Sequence, residues 1–167
     1  MTGFVIVAIL IIGSILLMKN QKEKGEEKID EYVVRQEQLS PTLSFSSAIV
    51  DVRNHAPDFA KESITGIEKI KTFLMNNEEV HSNGYARDDM KHVIYAVTNK
   101  RLLLCTIGVN SEQITSINYT KITNVDFTEK LNTLNYVTVE SYDKSFELLI
   151  PDKDRAIELF NSIQQNI

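Results

Sequence analysis

The stretch Val93–Ile107 constrains this chain more than any other. It reads VIYAVTNKRLLLCTI, two apolar runs rich in β-branched and aromatic residues on either side of Asn99 and Lys100. Side chains alternate between the faces of a strand, so Val93, Tyr95 and Val97 share one face in the first run, as Leu102 and Leu104 do in the second. Asparagine tolerates positive φ, and Asn99-Lys100 is therefore expected to close a tight turn. The pattern predicts a β-hairpin at the centre of a small, mainly β domain.

A chain of 167 residues has room for one ordinary domain with appendages. Its 43% hydrophobic and 25% charged residues suit a folded unit joined to a membrane segment. The net charge of −5 argues against nucleic acid as a partner, because phosphate backbones are held by concentrated basic surfaces. Cys105 is the only cysteine, so it has no internal disulfide partner and reads as a small buried hydrophobe within a strand. His55, His81 and His92 stand far apart, and the sequence has no HExxH, phosphate loop or GxSxG elbow. Glu78-Glu79 and Asp88-Asp89 read as surface carboxylates. These residues imply no catalytic group, no metal and no cofactor.

Phe4–Met18 is an almost unbroken apolar run, followed by Lys19. With Thr2 and Gly3 it extends about 26 Å as a helix, against a hydrocarbon core of about 30 Å, and Lys19 and Lys22 can snorkel across the difference. A cleaved signal peptide fits less well, since no positive region precedes the run and no small-x-small site follows it. Residues 1–18 are therefore expected to form a single-pass transmembrane helix. Lys19, Lys22, Lys24 and Lys28 follow the run while none precedes it, which places the N-terminus outside and the remaining chain in the cytoplasm. Residues 19–56 read as a juxtamembrane stalk or linker. Within it SPTLSFSS is loop-like, and Ala48–Val52 is ambiguous between a strand and a helical turn.

Pro57 opens a helix expected to run towards Asn76, with Phe59, Ser63, Ile67, Ile70 and Leu74 on one face and Gly66 as a point where it could split. Its polar side mixes Glu62 and Glu68 with Lys61, Lys69 and Lys71, which suits packing on a sheet better than lying on a membrane. From Glu79 the period becomes two. Glu79–Arg87, the two arms of the central hairpin, Ile114–Thr120, Ile122–Glu129, Tyr136–Tyr142 and Ser145–Ile150 make seven strands, with Asp88-Asp89 in the first connecting loop. Short turns between them predict a curled antiparallel sheet. Asp152 is placed to cap a final helix whose Ala156, Leu159, Phe160, Ile163 and Ile167 form an apolar stripe, with Phe160 at its centre as the expected plug of the roll's open end.

From about Ile67 to Ile167 the chain resembles bacterial PH-like domains, particularly the YokE-like group. The resemblance rests on TNKRLLL at Thr98–Leu104, on the spacing of Ile117, Tyr119, Ile122 and Val125, and on the closing helix. It implies a mainly β (α+β) fold, a seven-stranded β-roll or barrel capped by a C-terminal helix, in a PH-like domain over residues 57–167. It also implies a binding scaffold without enzymatic activity. The candidate ligand contacts are the basic residues Arg87, Lys91, His92, Lys100, Arg101 and Lys121. PH domains that bind phosphoinositides keep the loop between their first two strands basic; this sequence departs from them by inserting Asp88-Asp89 there. Lys100 and Arg101 read more simply as solvated residues at a hairpin tip. The expectation is a membrane-anchored cytoplasmic module that docks an unknown protein or peptide. An anionic lipid headgroup is the alternative ligand.

Overall fold

The computed structural model describes residues 44–108, 111–131 and 133–167. The expected transmembrane helix at 1–18 and most of the expected stalk lie outside the described residues. Among the described residues no helix is long and apolar enough to cross a membrane.

The described chain begins with helix α1 (Ser46–His55), a 3-10 turn (Pro57–Phe59) and helix α2 (Ala60–Phe73). Strands β1 (Val80–Asp88), β2 (Lys91–Thr98), β3 (Arg101–Ile107) and β4 (Glu112–Asn118) follow. A second 3-10 turn (Tyr119–Lys121) leads into β5 (Ile122–Lys130), β6 (Leu134–Ser141) and β7 (Ser145–Ile150), and helix α3 (Lys153–Gln164) ends the fold. The seven strands form one sheet in the order β4-β3-β2-β1-β7-β6-β5, antiparallel at every junction. The junction between β1 and β7 holds only Arg87 opposite Leu149 and Asp88 opposite Leu148.

The central hairpin forms where the sequence places it, and it is buried on both faces. Val93, Tyr95, Val97, Leu102 and Leu104 point into one core with Val137, Val139, Leu148 and, from α3, Ala156, Leu159 and Ile163. Ile94, Ala96, Leu103, Cys105 and Ile107 point the opposite way, into a second core with Phe45, Ile49, Val52, Ile67 and Ile70 of the N-terminal helices. Burial on both faces explains why the runs are continuously apolar instead of alternating with polar residues. Burial also pushes the Cys105 thiol up to about 11, which leaves it a packing group.

The hairpin turn works differently from the sequence expectation. Neither Asn99 nor Lys100 has positive φ. Thr98 Oγ1 instead accepts from the N–H groups of Lys100 (3.1 Å) and Arg101 (3.0 Å), so a threonine hydroxyl closes the turn. The Asn99 side chain reaches across to the chain entering β1, accepting from Glu79 N–H and donating to the Asn77 carbonyl.

The expected linker over residues 19–56 requires a correction. Phe45, Ala48, Ile49 and Val52 are buried in the outer core, so α1 is part of the folded unit and not of a stalk. Side chains fasten it to the edge of β1 that β7 leaves unpaired. Asn83 Oδ1 accepts from Ala48 N–H at 2.9 Å, and Asp51 accepts from Tyr85 N–H at 3.3 Å. Helix α2 runs unbroken through Gly66, where a Cβ would stand 3.2 Å from Ile107 Cδ1 and 3.3 Å from Cys105 Sγ. Glycine permits this close approach of helix to sheet.

At the far end, Asp152 caps α3 by accepting from Arg155 N–H, and Ala156, Leu159 and Ile163 are buried, as the stripe predicts. Phe160 is only half-buried at the margin of the core and Ile167 is exposed, so Leu159 and not Phe160 is the centre of the plug.

Gly84 meets the ring of Tyr95, with no room for a Cβ beside the Tyr95 hydroxyl and Cζ. Gly84→Ala should therefore destabilise the fold by about 1–3 kcal/mol through overpacking. The Tyr95 hydroxyl is buried without a partner among the described residues, so Tyr95→Phe should cost little and should relieve part of the Gly84→Ala loss. Denaturant melts of the two single variants and the double variant check the coupling; strict additivity would refute it.

Candidate functional site

The six basic residues singled out in the sequence do not meet in one place. Lys91 and Thr98 bound β2, whose length at about 3.3 Å per residue separates its two ends by about 23 Å. Arg87, Lys91 and His92 gather at the β1–β2 turn, Lys100 and Arg101 at the opposite end, and Lys121 is exposed in the 3-10 turn before β5.

Lys100 and Arg101 are structural, which corrects their reading as solvated tip residues. Arg101 forms a two-pronged ion pair with Glu78, Nε to Oε1 and Nη2 to Oε2, each at 2.9 Å. Its Nη2 also donates to the Phe73 carbonyl at 2.6 Å, and Nη1 to Ser116 Oγ at 3.1 Å. The guanidinium thus ties the C-terminal end of α2, where helix carbonyls lack partners, to strands β3 and β4. Lys100 Nζ donates to the Asn76 carbonyl at 2.7 Å, holding the same loop.

Glu78, expected at the surface, has a fully buried side chain. Burial alone would raise its carboxyl, but hydrogen bonds from Arg101, the Met75 backbone and the Thr98 hydroxyl outweigh that and hold it below the ordinary 4.5. The sequence offered no local signal for this pair, because Glu78 and Arg101 belong to different elements joined only by the fold.

The β1–β2 end has two unlike parts. Asp88, Asp89 and Glu147 line an open cleft of roughly 410 Å³ with Tyr136 and Leu149. Lys130 pairs with Glu147 at 2.7 Å and lies 4.2 Å above the Tyr136 ring. Asp89 takes positive φ (54°) in the two-residue turn, so Asp88 belongs to the strand, opposite Lys91, and not to the loop. On the same outer face as Leu149, its partner in β7, Arg87 stands directly across from His92 in β2. The His92 ring stacks on Phe59 and is hydrogen-bonded to the Tyr85 hydroxyl. Burial and the neighbouring Arg87 lower the His92 imidazole below its usual 6.5, so the ring is neutral at neutral pH. Phe59 and Tyr85 were missed as members of this cluster, since Phe59 reads from its spacing as a core residue of the helix.

Among the described residues, no group of three or more His, Cys, Asp or Glu side chains is placed to hold a metal ion.

A family model described as "Bacterial PH domain" matches residues 74–165. No curated protein matches the sequence. Similar solved structures include a pleckstrin homology domain from Shewanella amazonensis SB2B, at 16% identity and a TM-score of 0.45, covering 59% of this chain and 92% of that one. They also include a protein with a pleckstrin-homology domain from Shewanella loihica PV-4, at 15% identity and a TM-score of 0.43, covering 60% of this chain and 89% of that one. The C-terminal domain of an unknown protein from Leishmania infantum has 15% identity and a TM-score of 0.45, covering 62% of this chain and 96% of that one.

The Glu78–Arg101 pair carries a pH signature. A carboxyl held below its unfolded value stabilises the fold fully above that value, and the contribution is lost as pH falls through the folded value. Wild-type stability should therefore decline on the acid side, below about pH 4.5, more steeply than that of Glu78→Gln. Arg101→Met, which strands a buried carboxylate, should cost about 3–5 kcal/mol at neutral pH. Melts of the three proteins from pH 7 to pH 3 check both; parallel acid slopes for wild type and Glu78→Gln would refute the assignment.

Proposed function

Since this chain belongs to the bacterial PH domain family, we propose that it is a membrane-tethered, non-catalytic docking module for a protein or peptide partner. Within the family, its TNKRLLL stretch at Thr98–Leu104 points to the YokE-like group. The apolar run at 4–18 supplies the tether, and the lysines that follow it orient the domain towards the cytoplasm.

PH-like domains act by binding proteins or lipid headgroups, and one observation favours protein here. The basic residues are divided between the two ends of the sheet, and those at the TNKR end are consumed in holding α2. At the β1–β2 end the open cleft is lined by Asp88, Asp89 and Glu147. A polyphosphate headgroup needs several converging cations and would be repelled by those carboxylates. A protein partner meets no such barrier. The outer edges of β4 and β5, at the two ends of the sheet, also offer backbone groups for strand addition.

The full-length chain should fractionate with membranes through carbonate and high-salt washes, and a variant lacking residues 1–18 should be released. At about 150 mM salt, where the Debye length is about 8 Å, the released protein should not float with phosphatidylserine vesicles. Photo-crosslinkers placed along β4 and at the β1–β2 turn of the full-length chain in cells should yield a discrete protein adduct. Vesicle flotation abolished by Arg87→Glu, without any adduct, would make the headgroup sensor the better reading.

A further inference from the structure

The outer side of the β1–β2 turn holds donors that the fold does not consume. Tyr85 is 1% exposed, and its hydroxyl has the His92 Nδ1, 2.6 Å away, as its one acceptor among the described residues. Burial pushes that phenol up to about 12, so it keeps its proton and donates it to Nδ1. The imidazole proton therefore sits on Nε2, a donor without a partner among the described residues.

Arg87, the residue facing His92 across the hairpin, is in a similar position. Among the described residues its Nε is buried with no hydrogen-bond partner, and its Nη2 donates only to the Met90 thioether, at 3.9 Å. Alternation along β1 turns Asp88 to the opposite face, and Glu147, on the same face as Arg87, is paired with Lys130, so no carboxylate among the described residues pairs with Arg87. Two apolar groups flank these donors: Phe59, stacked on His92 at 3.5 Å and 39% exposed, and Met90, 77% exposed at the turn.

We propose that Arg87 and the Nε2–H of His92, flanked by Phe59 and Met90, form a docking site for a carboxylate presented by an aromatic or apolar segment of a partner protein. The inference rests on the protein-docking reading above and names the chemistry of the segment that docks. One guanidinium and one neutral imidazole N–H satisfy a single carboxylate, whose strongest partner is arginine. The Phe59 and Met90 surfaces cover the apolar flank of such a segment. Glu62 of α2 acts on His92 from the helix side, so the site presents too little positive charge to hold a multiply charged phosphate.

The test uses full-length protein in detergent micelles with 13C-labelled histidine, where His55 and His81, both exposed, serve as internal controls. The probe is 3-phenylpropionate, compared with its neutral amide, with inorganic phosphate and with phosphatidylserine vesicles. The acid should shift the His92 ring signals saturably and leave His81 unmoved. It should bind at least tenfold more tightly than the amide, and at least tenfold more weakly to Arg87→Met, while Arg87→Lys retains part of the affinity. Equal binding of acid and amide to the wild type would overturn the site even if the variants failed to fold. An unsaturable shift, or tighter binding of phosphate or of the vesicles, would overturn it as well. A crosslinked partner that persists undiminished in Arg87→Met would overturn this site while leaving the docking reading intact. Absence of any adduct would remove both.

Discussion

Burial of the β2–β3 hairpin on both faces is the constraint from which the rest of the architecture follows. A strand whose two faces are both apolar must be covered twice, and a single curled sheet covers only one side. The inner side is closed by the roll itself and by α3. The outer side is closed by α1 and α2, which lie wholly before residue 74, where the match to the family model begins. The N-terminal helices are thus a second core layer, required by Ile94, Ala96, Leu103, Cys105 and Ile107.

Covering a sheet with helices leaves polar backbone to be satisfied, and each junction uses a different device. Beyond the short pairing of β1 with β7, Asp51 accepts from the Tyr85 N–H of β1, while Asn83 of β1 accepts from the Ala48 N–H at the start of α1. The end of α2 is met by Arg101, whose guanidinium makes four hydrogen bonds, reaching Glu78, Phe73 and Ser116 at once. A lysine could not bridge that geometry. Asp51 has the less favourable position of the two carboxylates: burial raises its carboxyl, and Arg155 at 3.6 Å compensates only in part. Opposed shifts at Glu78 and Asp51 follow from the number and closeness of donors each one faces.

The same alternation that divides the two cores divides the charges at the β1–β2 end. Arg87 and Asp88 are neighbours in sequence, yet their side chains leave β1 on opposite faces: Arg87 shares the outer face with His92 and Leu149, and Asp88 stands opposite the inward-facing Leu148. A reading of the loop as one patch, in which Asp88-Asp89 cancel the adjacent bases, overlooks this separation. Net charge near a turn is a poor guide to the field on either face of the strands that it joins.

By itself the sequence determined the strands, the closing helix and the inward faces, because these depend on local periodicity. Val93, Tyr95 and Val97 had to share a face, Asp152 was placed to cap, and the Ala156, Leu159 and Ile163 stripe had to be buried. A signal for α1 was also present, since Phe45, Ala48, Ile49 and Val52 fall at i, i+3, i+4 and i+7, but the serines around them read as loop. Tertiary structure alone decided that Glu78 and Arg101 are partners, that Thr98 closes the hairpin, and that Leu159 outranks Phe160 as the plug. It also decided that Phe59, Tyr85, Arg87 and His92 meet. These are contacts between elements distant in the chain, fixed by how helices settle on a twisted sheet, and no periodicity within one segment carries that information.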